Sequence, residues 1–275
     1  PQLGYQFGKL SAGLGVRGYL LAASAIFNGS MSHRFQHLRS SLQPLFDAYA
    51  SAMEVGDRAG AVVALQFTDS IRMQSGANVG DALSHSRKNI HFYRKLGYEA
   101  LLGAMIPLAI FFAQMTGESV ADITQETDIE PFAVVREKAN DYWGLLSVRV
   151  IQCISEYYAG KNADAFKHAQ AAIALPSFEF GSPSSGLAMF IYSLSQLALC
   201  SKQSVSDHAA IGAVKKMQRR FYIWAQHGSM NYLHKWHLVE AELAKVQGQT
   251  SKAIQHYAQA IQGAQNNAYV GEEAL

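Results

Sequence analysis

The chain is poor in the features that most readily betray a chemistry. Its 275 residues hold two cysteines and six prolines. Neither Cys153 nor Cys200 stands at a metal-ligand or redox spacing. This excludes a disulfide-stapled fold, and buried thiols in a reducing compartment are expected instead. Charged residues make up 16% and the net charge is +2, which demands neither nucleic acid nor an anionic membrane as a partner. Period-two runs of Val, Ile and Thr are scarce, so strands are not expected. The longest apolar stretch, Ala100 to Ala113, falls short of the ~18–20 residues that span a bilayer, and Pro107 within it predicts a kink. No basic segment followed by an apolar one opens the chain, so no secretory signal is read and a cytoplasmic location is expected. GxxxxGK, HExxH and GxSxG are all missing, which removes the common routes to catalysis.

What is present is a helical-hairpin signature that occurs twice, 88 residues apart: Gly160, Ala165, Ala172 and Ile173 are matched by Gly248, Ala253, Ala260 and Ile261. Each glycine follows an apolar-periodic helix at the point of chain reversal, where a residue without Cβ takes the left-handed conformation freely. The alanines fall on one face of the next helix, where two backbones approach closely. Stacked helix–turn–helix repeats, tetratricopeptide units among them, have this form. An interval of 88 suits two hairpins of about 44 residues. The intermediate copy is degenerate: Ser204, Ala209, Lys216 and Met217 stand at its four positions. Gly56 and Gly76 also follow helical stretches, without the full alanine series.

Periodicity predicts helices over roughly 5–27, 34–54, 58–75, 79–96, 98–116, 128–139, 141–159, 162–174, 186–200, 206–227, 231–247 and 250–267. Asn28-Gly29-Ser30 closes the first, Asp57 offers an N-cap to the third, and Thr250 and Ser251 are candidate caps after Gly248. The expected fold is all-α, an irregular tetratricopeptide-like superhelix of about 12–13 helices in stacked hairpins, continuous as one domain over residues 1–275. The acidic stretch Thr116–Glu130 and the Ser/Gly/Pro-rich stretch Ser177–Gly186 interrupt it. The chain opens without an initiator methionine and closes on Glu272-Glu273-Ala274-Leu275, like the start of another helix, so a piece of a longer protein is expected.

Four constellations could carry chemistry. Gly13, Gly15 and Gly18 satisfy the dinucleotide fingerprint, but that motif works only between a strand and a helix; with no strand expected, nucleotide binding is not assigned. His227, His234 and His237 lie close in sequence, yet no carboxylate or cysteine at diagnostic spacing completes a metal shell, and no metal is assigned. Asp122, Glu126, Asp128 and Glu130 belong to an exposed loop, where nothing separates their pKa values. On helix 206–227 the residues Ile211, Val214, Met217, Phe221 and Trp224 form the core stripe, while Lys215, Lys216, Arg219 and Arg220 fall elsewhere as two i,i+4 pairs. Those four cations are the candidate partner-binding residues, with an acidic peptide or a protein domain as plausible as RNA. No catalytic, cofactor or metal residue is assigned.

Tyr232, the run from His234 to Ala244, Gly248, and Ala253 to Ile261 resemble a recurring block of very large signalling kinases. Glu272–Leu275, Gly4-Tyr5-Gln6-Phe7-Gly8, Phe27-Asn28-Gly29 and the Leu42–Tyr49 helix extend the resemblance over essentially the whole chain. Such proteins combine a serine/threonine kinase, an AAA-type ATPase, a tetratricopeptide-like helical region, GAF sensors and often a histidine kinase. The resemblance implies that this stretch is the helical region, non-catalytic, contacting protein domains, with kinase and ATPase motifs elsewhere. It departs from the standard repeat at His237 and Ala244, where large aromatics are usual, and at Ala169, which stands where Tyr257 stands. Two other readings follow from the residues: a free-standing helical ligand-binding protein or enzyme with an aromatic-lined pocket, and a peptide sensor within a transcriptional regulator.

Overall fold

The computed structural model describes residues 17–201 and 208–275. Among these the fold is all-α: thirteen α-helices and no strand. They are α1 (Arg17–Ser30), α2 (Leu42–Glu54), α3 (Arg58–Gln74), α4 (Val79–Leu96), α5 (Glu99–Thr116), α6 (Glu130–Lys138), α7 (Tyr142–Tyr158), α8 (Asn162–Ile173), α9 (Pro183–Ser201), α10 (His208–His227), α11 (Ser229–Val246), α12 (Thr250–Asn266) and α13 (Val270–Glu273). Two compact units divide them, one ending at Thr127 and the other spanning Asp128–Leu275.

The corners follow a rhythm. Left-handed residues recur at 20–23-residue intervals from Gly56 through Gly76, Gly97, Gly117, Asn140 and Gly160 to Gly181, and again from Gly248 to Ala268. Gly181 closes the 3-10 turn Pro176–Phe180, and every second helix-end corner returns after 41–43 residues, from Gly56 through Gly97 to Asn140 and from Gly76 through Gly117 to Gly160. That is the length of one helical hairpin.

The two corners singled out in the sequence match atom for atom. Gly160 has φ +75° and Gly248 φ +72°. Their amides donate to Tyr157 and Lys245 carbonyls at 3.0 Å, and the next amides, of Lys161 and Gln249, donate back to Glu156 and Ala244 at 2.9 Å. This double bond closes the carbonyls that a helix C-terminus leaves open. The following helix starts from nearly the same backbone, Lys161 at φ −86°, ψ 66° and Gln249 at φ −87°, ψ 66°. Thr250 and Ser251, the expected caps, are the first residues of α12, and Gln249 holds the cap position without a side-chain bond. The alanines of both copies are buried: Ala165, Ala172, Ala253 and Ala260.

The corner also occurs without the full alanine series or without glycine. At Gly56 the amide of Asp57 donates to Ala52 at 2.8 Å, and the two small slots hold Ala61 and Thr68, both fully buried. Asn140 (φ 54°) and Ala268 (φ 55°) make it without glycine. Asp57, Asn78 and Asp141 cap α3, α4 and α7 through their side chains.

In the first unit α1 packs on α2 and α3, and α3 on α2, α4 and α5. In α5 every residue from Leu102 to Ala113 is buried except Gly103, and the helix runs through Pro107. No described helix is long and apolar enough to cross a membrane. In Asp128–Leu275 each helix packs on its successor, and α9 also packs on both α7 and α11. Observed helix limits fall within about three residues of those expected, save at the start. There the expected helix 34–54 is broken into the short 3-10 turns Ser32–Arg34 and Leu38–Ser41 before α2. Arg39 fixes this segment by donating to the carbonyls of Ser75 and Gly76 at 2.8 and 2.7 Å. Residues 5–16 of the first expected helix, Gly13 and Gly15 of the glycine motif, and Ser204 lie outside the described residues. Cys153 and Cys200 are buried free thiols.

Candidate functional site

Helix α10 carries no acidic residue. Its core stripe is as expected, with Ile211, Val214 and Phe221 buried and Met217 and Trp224 partly so. The four candidate cations divide. Lys215, Lys216 and Arg219 are exposed, on the face that also exposes Tyr222 and Ile223. Arg220 is half-buried and committed: its guanidinium donates to both carboxylate oxygens of Glu179, at 3.0 and 3.1 Å, and lies 4.8 Å over the Phe178 ring. That bidentate contact ties α10 to the turn before α9.

The three sequence-adjacent histidines do not converge. His227 is exposed at the end of α10. His234 is buried beneath the Tyr269 ring, 4.6 Å between centroids, with its Nε2 3.1 Å from Lys235 Nζ. His237 turns instead to His256 of α12, their Nδ1 atoms 2.9 Å apart. The Trp236 ring packs on both in T-shaped contacts. Among the described residues no group of three or more His, Cys, Asp or Glu is placed to hold a metal ion.

Beside these rings a groove of about 390 Å³ runs between α11 and α12, lined by Leu233, His234, His237, Gln259, Gln262 and Asn266 among others, with no Phe, Tyr or Trp. The helices approach closely along it: a Cβ on Gly263 would stand 2.9 Å from that of His234.

A buried ion pair joins α11 to α13. Lys235, 5% exposed, donates to Glu272 at 3.0 Å and to the Asn231 carbonyl at 3.1 Å, and lies 4.0 Å over the Tyr269 ring. Tyr269 in turn donates to Asn231 Oδ1 at 2.7 Å. Burial pulls the Lys235 ammonium below its usual range while Glu272 opposes the fall. With every partner supplied and almost no exposure, Lys235 joins α13 to α11 and is closed to a substrate.

The first unit holds the opposite case. Asp69 is fully buried between α3 and α4, with Asn89 donating to Oδ2 at 2.9 Å and Oδ1 unpartnered. Burial pushes its carboxyl up to about 7, against the Asn89 bond and the Arg72 charge. The expected acidic loop is engaged structurally: Arg87 pairs with Glu118 at 2.8 Å and Asp122 at 3.5 Å, and Arg149 with Glu130 at 2.7 Å. His256, Asp69 and Lys235 escaped the sequence reading because each gains its meaning from a neighbour on another helix.

No protein-family model matches this chain, and no curated protein matches it.

Proposed function

We propose that the chain is the tetratricopeptide-like scaffold region of a large signal-transduction kinase, non-catalytic itself and working by protein–protein or interdomain contact. The recurrence of one corner every 41–43 residues carries this reading, because hairpins repeated at a fixed length stack into extended surfaces. The resemblance of the Tyr232–Ile261 block to such kinases supplies the setting, and the partners would be own-chain kinase, ATPase or GAF domains, or peptides. The exposed Lys215, Lys216 and Arg219 with Tyr222 and Ile223 offer such partners cations beside apolar surface. A pocket walled by aromatic rings, the mark of the ligand-binding alternative, finds no support in the amide- and imidazole-lined groove.

An antibody raised to this region tests the setting by immunoblot of the source cell. A band several times the 30.1 kDa of the chain is expected, and a band near that mass would remove the multidomain reading. Binding of neighbouring domains, weakened by the triple substitution Lys215→Glu, Lys216→Glu and Arg219→Glu, is the matching test of the surface.

A further inference from the structure

His237 and His256 face one another across the α11–α12 seam, Nδ1 to Nδ1, at 2.9 Å. An imidazole nitrogen carries either a proton or a lone pair, so this contact is closed by a single shared proton. When both rings take the Nε2–H tautomer, two lone pairs face one another across that gap, the ring centroids standing 5.2 Å apart. We propose that His237 and His256 form a two-imidazole site for a divalent transition-metal ion of the copper, nickel and zinc group, clamping α11 to α12.

The geometry needs a modest movement of both rings. Two nitrogens bound to a tetrahedral ion at about 2.0–2.1 Å stand roughly 3.3 Å apart, so the rings must part by about 0.4 Å and each must turn by roughly 35° to aim its lone pair at an ion off the line between them. They are already oriented, since the Trp236 ring lies 4.9 Å from one and 5.8 Å from the other. Both are half-buried, and burial holds both below the usual imidazole range; Glu240 opposes this for each ring, while His256 adds to it for His237 and Lys252 for His256. Neutral imidazole is the form that binds metal. His237 also lines the groove, which opens that ring to solvent, and water is the ligand for the remaining positions. With only two protein ligands, the site is open and exchangeable, and copper(II) binds it most tightly of the group.

The test titrates the full chain with Cu²⁺ and with Zn²⁺, following tryptophan fluorescence, melting temperature and the electron paramagnetic resonance of one equivalent of Cu²⁺. Expected are quenching by Cu²⁺, a higher melting temperature with Zn²⁺, and two coupled imidazole nitrogens. His237→Asn and His256→Asn should each weaken binding at least about tenfold, a loss that even an outer contact of a metal ligand can cost, whereas His227→Asn, at an exposed histidine, changes nothing. Equal binding by wild type and His256→Asn would overturn the proposal, as would an unmoved melting temperature. Should either variant fail to fold, the nitrogen count in the wild type decides: two uphold the clamp, fewer than two end it.

Discussion

The hairpins α7–α8 and α11–α12 share a corner to within a few degrees and tenths of an ångström, yet their seams differ. On α8 the buried face is alanine throughout, Ala165, Ala169 and Ala172. On α12 Tyr257 replaces the middle alanine and bonds to Glu242, while His256 meets His237. The Lys235–Glu272 pair then fastens the next corner. Small residues set how closely two helices approach; polar partners added across the seam set which contacts hold. The second hairpin is the first with a lock.

Breaking that lock should have the largest effect. Glu272→Ala leaves Lys235 buried and unpaired, a loss of about 3–5 kcal/mol, and the double substitution Lys235→Met, Glu272→Gln should recover much of it in urea melts. No single polar deletion in the α7–α8 seam should match this.

Asp69 sharpens the contrast, being a buried carboxyl held by the neutral Asn89 amide and not by an ion pair. Its folded pKa of about 7 lies above the value of about 3.8 that an exposed aspartate has in the unfolded chain. The unfolded chain therefore releases this proton first as pH rises. Stability from this group is full below pH ~4, declines towards pH ~7 and is flat above, a loss on the order of 4 kcal/mol at most. Asp69→Asn should flatten that slope in melts taken across this range; an unchanged slope would refute the assignment.

The shared alanines come next. Ala165→Leu and Ala253→Leu overfill equivalent seams and should each cost about 1–3 kcal/mol, with similar values at the two sites if the hairpins are copies. The smallest effects belong to the corners. An added Cβ meets nothing within 4 Å at Gly160 or Gly248, so Gly→Ala there costs only the left-handed conformation, about 1 kcal/mol. Ala268→Gly, relieving the same backbone, should gain about 0.5–1 kcal/mol.

Helices were legible in the sequence because amphipathic periodicity and helix-end signals act locally: 79–96 is α4 residue for residue. The helix expected over 34–54 starts instead at Leu42, since Arg39 holds 3-10 turns through carbonyls of residues 75 and 76, a contact that periodicity cannot show. Two corners were found because each kept both glycine and alanines. Gly97 was missed with Leu102 in its first small slot, and Asn140 and Ala268 because neither is glycine. Of the candidate cations, spacing placed all four off the core, but only the fold shows that Arg220 is spoken for by Glu179. The histidines teach the same lesson: neighbours in sequence diverged, and His237 found a partner 19 residues away.

Native-state amide hydrogen exchange on wild type and Glu272→Ala tests most directly whether one hairpin is used twice and locked once. The two copies should show matching protection at the corner amides of Gly160 and Lys161 and of Gly248 and Gln249. In Glu272→Ala, protection should fall across α11–α13 and persist in α7–α8. Equal loss in both hairpins, or loss confined to α7–α8, would contradict it.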